Sequence, residues 1–252
     1  MSKIISIVGK GGVGKTTTAI NLSAGLASLD KKVLLVDIDS QAHATSGLDF
    51  DRKDLTKSIY ECMFDNVNPH EIVLKTTTPN LDLIPSHIGM VGAEIALVNL
   101  PNRLETLRCI INKIQNDYDF VIIDCPPSLG LIPLNAMTAS DSIIISVQCE
   151  FFALESLSRI LQPFKIVKQQ FNEKLEIEGI LMTMYNKHSR LSNQIVEGVR
   201  ESLKDCVFET LIYRDEKLNE SQSHGKTIFE YASSSTGATN YLDLAKEILK
   251  LK

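Results

Sequence analysis

Short runs of Ile, Val and Leu recur along this chain, separated by segments long enough to form helices. The runs are continuous rather than alternating with polar residues, which is typical of strands covered on both faces. Six runs are predicted to be strands: Ile4–Val8, Val33–Val36, Leu81–Ile84, Phe120–Ile123, Ile143–Val147 and Ile177–Met182. The segments between and after them predict helices at Thr16–Leu29, Glu94–Asn116, Ala153–Phe171, Asn193–Leu203 and Ala238–Leu251. This alternation predicts an α/β fold with a doubly wound, mostly parallel sheet flanked by helices.

The length of 252 residues and the hydrophobic content of 44% are those of an ordinary globular protein. We expect residues 1–252 to form a single domain, with short helical turns such as Thr56–Phe64 in the region Phe50–Asn80. No run approaches the roughly 18 apolar residues of a membrane-spanning helix, and the N-terminus lacks the pattern of a signal peptide. The sequence therefore predicts a cytoplasmic protein.

The cysteines are scattered, odd in number and free of any C-x-x-C pair. They are Cys62, Cys109, Cys125, Cys149 and Cys206. This pattern indicates neither a disulfide framework nor a zinc site, so we expect buried free thiols. The histidines show no H-E-x-x-H or paired spacing, which argues against a transition metal bound by the protein.

The strongest chemical signal is the segment GKGGVGKTT over residues 9–17, between the first predicted strand and the first predicted helix. It satisfies the phosphate-binding pattern G-x-x-x-x-G-K-[ST] in its strand–loop–helix context. Glycines allow backbone N–H groups to turn toward phosphate oxygens, and the helix adds its positive N-terminal end. Lys15 supplies a charge for the β- and γ-phosphates, and the Thr16 hydroxyl can join a Mg²⁺ shell. A simple glycine turn would not explain Lys15 and Thr16 at this offset, so the pattern indicates nucleotide binding.

Carboxylates at the ends of two predicted strands support this interpretation. Asp37 and Asp39 follow the second strand, and Asp124 follows the strand that begins at Phe120. In open α/β sheets, ligands bind at the carboxyl ends of the strands. A lone aspartate there is usually a turn residue, but beside a phosphate loop Asp124 fits a Mg²⁺-holding position and Asp39 a functional one. For Asp37 a structural and a functional role are equally open.

Three segments resemble the ParA/Soj-type partition ATPases, part of the deviant Walker A group that also holds MinD-like proteins and nitrogenase iron protein. They are KGGVGKTT over residues 10–17, DIDSQ over residues 37–41 and DFVIIDCPPSLG over residues 119–130. The resemblance extends over essentially the whole chain. It implies a deviant Walker A P-loop NTPase fold and hydrolysis of ATP, with ATP and Mg²⁺ as cofactors.

The resemblance also implies roles for individual residues. Lys10 is at the position of the signature lysine, which reaches the phosphates bound by the other protomer of a dimer, and Asp39 is at the position that orients the attacking water. The implied catalytic residues are Lys10, Lys15 and Asp39. The implied nucleotide-binding residues are Lys10, Gly11, Gly12, Val13, Gly14, Lys15, Thr16, Thr17, Tyr213 and Asp215. The implied Mg²⁺ ligands are Thr16, Asp39 and Asp124.

Two segments depart from the family pattern. The family commonly reads Pro-Gln-Gly-Asn after the second aspartate, where residues 40–43 of this chain are SQAH. It commonly reads Pro-Arg-Asn near the adenine, where residues 213–215 of this chain are YRD. The sequence therefore defines the phosphate chemistry better than the adenine pocket.

The formal net charge of −5 first argues against a nucleic-acid partner, because phosphate binding needs clustered Lys and Arg. However, residues 1–150 contain 12 basic and 17 acidic residues, whereas residues 151–252 contain 14 of each. The resemblance implies a homodimer that forms on ATP binding, binds double-stranded DNA non-specifically and is released by a ParB-like protein. Only three residues precede the first predicted strand, so we expect no N-terminal helix-turn-helix domain. The candidate DNA contacts are Lys187, His188, Arg190, Arg200 and Lys217.

Other functions make different demands on the sequence. A MinD-like ATPase that cycles on membranes is the main alternative, since Tyr241–Lys252 has apolar residues at helical spacing opposite lysines. These apolar residues are Leu242, Ala245, Ile248 and Leu249. Packing of a last helix against the core explains this stripe equally well, and we expect no membrane binding. An iron–sulfur carrier would need a Cys-Gly-Gly pattern after the Asp124 strand, which this sequence lacks. A catalytically inert scaffold is disfavoured because Lys15, Asp39 and Asp124 are all present.

Overall fold

A seven-stranded sheet forms the centre of the protein in the computed structural model, which describes residues 2–128, 130–203 and 206–251. The strands are β1 (Lys3–Val8), β2 (Val33–Asp37), β3 (Leu74–Lys75), β4 (Leu81–Ile84), β5 (Phe120–Asp124), β6 (Ser142–Gln148) and β7 (Glu176–Thr183). Their spatial order is β3-β4-β2-β5-β1-β6-β7, and neighbouring strands are parallel except for the antiparallel pair β3 and β4. The predicted α/β fold with a mostly parallel sheet is confirmed.

Helices cover both faces of this sheet. Those in the described ranges are α1 (Lys15–Ser28), α2 (His43–Ser46), α3 (Ile59–Phe64), α4 (Ala93–Val98), α5 (Thr106–Ile114), α6 (Leu131–Ala139), α7 (Ala153–Gln170), α8 (Arg190–Ser202), α9 (Glu216–Ser223), α10 (Ile228–Ala232) and α11 (Thr236–Ile248). None of the helices in this part of the chain is long and apolar enough to cross a membrane.

Two apolar layers explain why the strands are hydrophobic at successive positions. In β1, Ile4 and Val8 pack with the layer that includes α4 to α8, whereas Ile5 and Ile7 pack with the layer that includes α1 and α11. Successive side chains of a strand point to opposite faces, so a strand covered on both faces needs apolar residues throughout. The continuous runs in the sequence therefore correspond to burial on both sides.

The register of the central strands brings the predicted site residues together. Asp124 at the end of β5 pairs with Ile7 of β1 on one side and with Asp37 of β2 on the other. The loop that leaves β1 therefore begins beside both aspartates. We call this side of the sheet the carboxyl edge.

The predicted helix at Glu94–Asn116 is wrong in its extent. The structure divides this segment into α4 and α5, separated by an irregular stretch around Pro101. Proline has no N–H and disfavours the helical conformation in the preceding residue. The N–H of Leu100 instead bonds to the carbonyl of Leu97 at 3.0 Å, which closes the end of α4. The other four predicted helices are present, with ends shifted by at most three residues.

Several short elements are absent from the predicted set. Helix α6 is apolar and buried on nearly all sides, so it lacks the polar face that reveals a helix in sequence. Its Pro133 lies in the first turn, where proline is tolerated. Strand β3 has only two residues, and α9 and α10 are also short. Such elements depend on tertiary packing more than on periodicity.

The prediction of buried thiols holds for some of the cysteines. Cys62, Cys125 and Cys149 are buried, but Cys206 is half-buried and Cys109 is exposed. Cys109 lies on the solvent side of α5, whose buried residues are Leu107, Ile110, Ile111 and Ile114. The prediction is therefore wrong for Cys109.

Candidate nucleotide-binding site

The phosphate loop spans residues 9–14 and connects β1 to α1. Gly12 and Gly14 have φ angles of 80° and 85°, in the left-handed region that residues with a Cβ rarely adopt. Val13 between them is buried, and its carbonyl accepts a 2.8 Å hydrogen bond from the hydroxyl of Thr183 at the end of β7. The glycines therefore shape the loop, and Val13 fixes it to the sheet.

Lys15 is the first residue of α1 and is only 7% exposed. Its ammonium Nζ donates a 3.0 Å hydrogen bond to the carbonyl of Lys10, so the side chain folds back over the loop. Burial lowers the pKa of Lys15, while the carboxylates of Asp124 and Asp39 act in the opposite direction. A buried ammonium over a phosphate loop is positioned to bind the β- and γ-phosphates of a nucleotide.

Asp124 is completely buried, and neither of its carboxylate oxygens has a hydrogen-bond partner within the described residues. Burial and the nearby charge of Asp37 raise the pKa of Asp124 well above its usual range. A buried carboxylate without donors is costly unless a cation neutralises it. The two oxygens of Asp124 therefore fit Mg²⁺, which prefers oxygen ligands.

The other predicted Mg²⁺ ligands lie close to Asp124. Thr16 and Asp39 are both near enough to affect the pKa of Asp124. In the part of the chain that the structure describes, no group of three His, Cys, Asp or Glu side chains forms a metal site on its own. Thr16, water and nucleotide phosphates would complete the shell, as is usual for Mg²⁺.

Asp37 is fully buried and its carboxylate has an internal hydrogen-bonding role. Oδ1 accepts a 3.1 Å hydrogen bond from the N–H of Asp39, and Oδ2 accepts bonds of 2.9 and 2.8 Å from the N–H and hydroxyl of Thr45. These bonds hold the loop after β2, which carries Asp39. Of the two roles left open by the sequence, the structure favours the structural one for Asp37.

Asp39 is 8% exposed and lies at the start of that loop. Its Oδ1 accepts a 2.9 Å hydrogen bond from the N–H of Gln41, and its carbonyl accepts a 2.7 Å hydrogen bond from the hydroxyl of Ser86. The main chain and one carboxylate oxygen thus fix Asp39 beside the phosphate loop. This fixed position suits a residue that orients a water molecule.

Replacing Asp37 with Asn tests the anchoring role. The amide keeps the size of the side chain but places an NH₂ donor against N–H and O–H donors, so we expect the free energy of unfolding to fall by about 2 kcal/mol at pH 7. Burial raises the pKa of Asp37 from 3.8 to about 6. The native state therefore binds more protons than the unfolded chain in this window, and the stability due to Asp37 falls as the pH rises through it. The loss caused by the substitution should be larger at pH 5 than at pH 7.

Urea unfolding at both pH values measures this difference. Asp65→Asn, an exposed change at the end of α3, is the matched control and should change stability little at either pH. An equal loss at the two pH values would show that the carboxylate of Asp37 is not the titrating anchor.

Ala42 departs from the family pattern with a local structural consequence. It has φ 47° and ψ 44°, the left-handed conformation that costs a residue with a Cβ roughly 1 kcal/mol. The glycine that the family commonly has here avoids this cost. The turn keeps its shape because the N–H of Ala42 bonds to the carbonyl of Asp39 at 2.9 Å.

A pocket lies beside the phosphate loop, lined in part by Gly14 and Thr17. Tyr213 and Asp215 line it, as the resemblance implies, but Met184 and Asn219 line it as well. The Asp215 carboxylate is already engaged: Oδ1 accepts from the N–H of Lys217 at 3.0 Å, and Oδ2 from a glycine N–H in the first turn of α11 at 2.8 Å. Asp215 therefore shapes the pocket wall. No local sequence pattern indicates Met184 or Asn219, because they come from separate segments.

The C-terminal helices hold α1 through polar contacts that the sequence does not reveal. The side-chain amide of Gln222 in α9 donates a 2.8 Å hydrogen bond to the hydroxyl of Thr17. The hydroxyl of Thr18 lies 3.1 Å from that of Tyr241, which is 1% exposed in α11. The first turns of the phosphate-loop helix are thus packed against both α9 and α11.

Lys10 lies on the exposed side of the phosphate loop. Its Nζ is 6.0 Å from the centre of the Phe152 ring, at the start of α7. Gly11 next to it is also exposed and lies near Pro127 in the loop after β5. This outward position is compatible with a lysine that acts on a second protomer.

Most of the candidate DNA contacts lie near one point of the carboxyl edge. Tyr185 and Tyr213 form a parallel bridge, and their rings pack edge to face at 5.0 Å. The loop before α8 and the start of α9 both leave from this point. The exposed candidates found there are Lys187, His188, Arg190 and Lys217.

Arg200 lies apart from the other candidates. It is in the last turn of α8, about 15 Å from Arg190 at 1.5 Å per residue. Its guanidinium donates a 3.0 Å hydrogen bond to the carbonyl of Glu209, which closes the end of the helix locally. The structure therefore does not bring Arg200 together with the other four.

Sequence comparison relates this chain to known proteins over nearly its full length. Residues 2–177 match the family model described as AAA domain. The chain is 48% identical to the sporulation initiation inhibitor protein Soj of Bacillus subtilis, covering 98% of both chains. It is 44% identical to the chromosome partitioning protein ParA of Myxococcus xanthus, covering 96% of this chain and 85% of that protein.

Solved structures agree with this relationship. The crystal structure of cobyrinic acid a,c-diamide synthase from Mycobacterium smegmatis with bound ADP and magnesium superimposes with a TM-score of 0.88 at 31% identity, covering 99% of this chain and 95% of that one. The septum site-determining protein MinD of Pyrococcus horikoshii, complexed with Mg-ADP, gives a TM-score of 0.83 at 26% identity, covering 98% and 96%. By these identities and coverages, the chain belongs to the ParA/Soj family of P-loop partition ATPases.

Proposed function

We propose that this protein is a Mg²⁺-dependent ATPase switch for DNA segregation. The observation that carries the proposal is the buried Asp124, whose oxygens accept no hydrogen bond within the described residues and lie near the Thr16 hydroxyl and the Lys15 ammonium of the phosphate loop. ATP and Mg²⁺ are its cofactors, with Thr16 and Asp124 as metal ligands and Asp39 nearby. Bound there, Mg²⁺ supplies positive charge that offsets the developing charge on the phosphates.

The protein's own residues perform the remaining steps of hydrolysis. Lys15 binds the β- and γ-phosphates, and Asp39 orients the attacking water in line with the γ-phosphate. Lys10 of a second protomer adds positive charge in trans, by the physical logic of an arginine finger. Without a partner we expect slow turnover, on the order of 10⁻⁴ to 10⁻² s⁻¹, which a ParB-like protein with a basic N-terminal segment accelerates.

An exposed apolar stripe supports dimer formation on the same edge of the sheet. Ile88, Val91, Ile95 and Val98 are between 55% and 74% exposed, at helical spacing through α4 and the turn before it. Exposed apolar patches of this kind mark interaction sites. The stripe follows the carboxyl end of β4, on the edge that carries Lys10. We propose that ATP binding joins two protomers through this edge.

The DNA contact proposed here is non-specific and requires ATP. Lys187, His188, Arg190 and Lys217 lie together, and a dimer doubles this patch. About three phosphate contacts per protomer predict a log-log salt slope of roughly −5 for duplex DNA. Fluorescence anisotropy with ATP and with ADP, over a series of salt concentrations, measures both the slope and the nucleotide requirement.

A matched pair of variants locates the contact. Arg190→Ala should weaken binding and make the slope shallower by about two, because each of the two protomers loses one contact. Lys165→Ala removes the same charge from an exposed position in the second half of α7, far along that helix from the carboxyl edge, and should leave the slope unchanged. DNA binding that is equal with ADP and ATP would refute the switch.

The membrane-cycling alternative loses its main support in the structure. Of the four apolar residues in this stripe, Ala245 and Ile248 are buried against the sheet and α1, Leu249 is partly buried in the same layer, and Leu242 is half-buried. Most of the apolar stripe of the last helix therefore packs against the core, as the apolar face of an amphipathic helix normally does. We propose that the protein acts in the cytoplasm on nucleoid DNA, and a liposome flotation assay with ATP should find no membrane binding.

A further inference from the structure

The lysine at the start of α9 is already paired with a carboxylate of its own helix. Lys217 Nζ lies 2.7 Å from Glu220 Oε2, one turn further along α9. Both side chains are about half exposed, at 51% and 41%, so the pair faces solvent. A phosphate group approaching Lys217 therefore meets a cation whose nearest partner is Glu220.

Neighbouring aromatic residues hold the Glu220 carboxylate in place. The hydroxyl of Tyr231 in α10 donates a 2.9 Å hydrogen bond to the same Oε2. The centre of the Tyr231 ring lies 5.9 Å from Lys217 Nζ, and the ring stacks on His224 with their centres 5.2 Å apart. Glu220 is thus fixed by contacts from two helices, which reduces the entropy lost in keeping it beside Lys217.

We propose that Glu220 is an intramolecular competitor of DNA phosphate for Lys217. This inference rests on the proposed function, in which Lys217 is one of the DNA contacts. Glu220 weakens that contact in two ways: it must give up the ammonium before a phosphate can pair with it, and its charge repels the phosphate. The pair therefore limits the affinity of the protein for DNA.

The competition has a further consequence for release of the protein. Exposed ion pairs contribute little free energy, so Glu220 lowers the affinity without preventing binding. A dimer has two such pairs, so the reduction in DNA affinity applies at both protomers. The structure thus gives the switch a weak DNA contact that is lost readily once the dimer comes apart.

Glu220→Gln is the direct test, and Glu216→Gln is its matched control. Both remove one negative charge from α9, at an exposed position for Glu216 and a half-exposed one for Glu220, but Glu216 forms no ion pair within the described residues. With Mg²⁺ and a slowly hydrolysed ATP analogue, we expect Glu220→Gln to tighten binding to duplex DNA about threefold to tenfold. The salt slope should become steeper by roughly two for a dimer. Glu216→Gln should change the affinity by less than about twofold.

A second pair of variants tests whether the effect passes through Lys217. In a Lys217→Ala background, Glu220→Gln should no longer tighten binding beyond the effect of Glu216→Gln. Tyr231→Phe, which removes the hydroxyl that holds Glu220, should also tighten binding to DNA, but by less than Glu220→Gln does. ATP affinity should be unchanged in each variant, since none of these side chains lines the phosphate loop.

The outcomes separate this inference from the proposed function. If the wild-type protein binds DNA with ATP but Glu220→Gln and Glu216→Gln have equal effects, the competition is refuted and the proposed function stands. Weaker binding by Glu220→Gln would also refute it, because Glu220 would then position Lys217 instead of competing for it. If neither the wild type nor any variant binds DNA, the proposed function and this inference fail together.

Discussion

Asp39→Ala is expected to lower the rate of ATP hydrolysis by about a hundredfold or more, while ATP affinity stays within about threefold of the wild type. The reason is that different residues at the carboxyl edge bind the nucleotide and orient the attacking water. In the proposed mechanism the phosphate loop and Lys15 bind the nucleotide, whereas the Asp39 carboxylate, held by the N–H of Gln41, orients water. Removing it leaves binding intact and takes away an interaction needed only in the transition state.

Single-turnover phosphate release and nucleotide titration measure the two quantities separately. Asp39→Asn keeps an acceptor for the Gln41 N–H, so it separates the role of the carboxylate from that of the turn. Asp65→Ala at the exposed end of α3 is the control for loss of an aspartate. If switching depends on hydrolysis, Asp39→Ala should also stay dimeric and bound to DNA in the presence of ATP. Normal hydrolysis by this variant would show that another residue orients the water.

Lys15→Ala should weaken ATP binding by about a hundredfold or more, because it removes a charge that contacts two phosphates. Lys10→Ala is the matched control, since it removes a lysine from the same loop. Lys10 is exposed, and its Nζ lies 6.0 Å from the centre of the Phe152 ring, whereas the Lys15 ammonium is buried over the loop. We therefore expect Lys10→Ala to bind ATP nearly as well as the wild type, but to lose ATP-dependent dimerisation and hydrolysis.

Isothermal titration with ATP and Mg²⁺, followed by size-exclusion chromatography with ATP or ADP, distinguishes the two lysines. Equal loss of ATP affinity in both variants would place Lys10 on its own protomer's nucleotide and overturn its action in trans. Retained affinity in Lys15→Ala would contradict the position of the Lys15 ammonium over the phosphate loop.

Much of the nucleotide site could be predicted because its residues are close together in sequence. A phosphate loop needs glycines with positive φ, a lysine and a hydroxyl at fixed offsets, and Gly12, Gly14, Lys15 and Thr16 satisfy that pattern locally. Asp124 could be predicted because parallel strands bring their carboxyl ends to one edge. The pocket beside the phosphate loop could not be predicted as fully, since residues such as Met184 and Asn219 come together only in the folded chain.

The helix boundaries were also only partly predictable from the local sequence. The apolar spacing of Glu94–Asn116 predicts one helix. In the structure the helix is interrupted around Pro101, because proline disfavours the helical conformation in the residue before it. Helix α6 has no amphipathic period because it is buried nearly all round. Pro101 is a local signal of a helix boundary that the apolar spacing of the segment obscures, whereas for α6 the local pattern does not contain the deciding contacts.

The sequence by itself determined the class of fold, the phosphate-binding chemistry and the acidic residues that accompany it, because each depends on local spacing or on the period of a strand. Only the tertiary structure decided the surroundings and the partners of each charged residue. Asp37 anchors a loop through Thr45, Asp124 is buried and accepts no hydrogen bond in the described chain, and Lys217 is paired with Glu220. The physical reason is that the state of a charged group depends on its burial and on its partners, and long-range packing sets both.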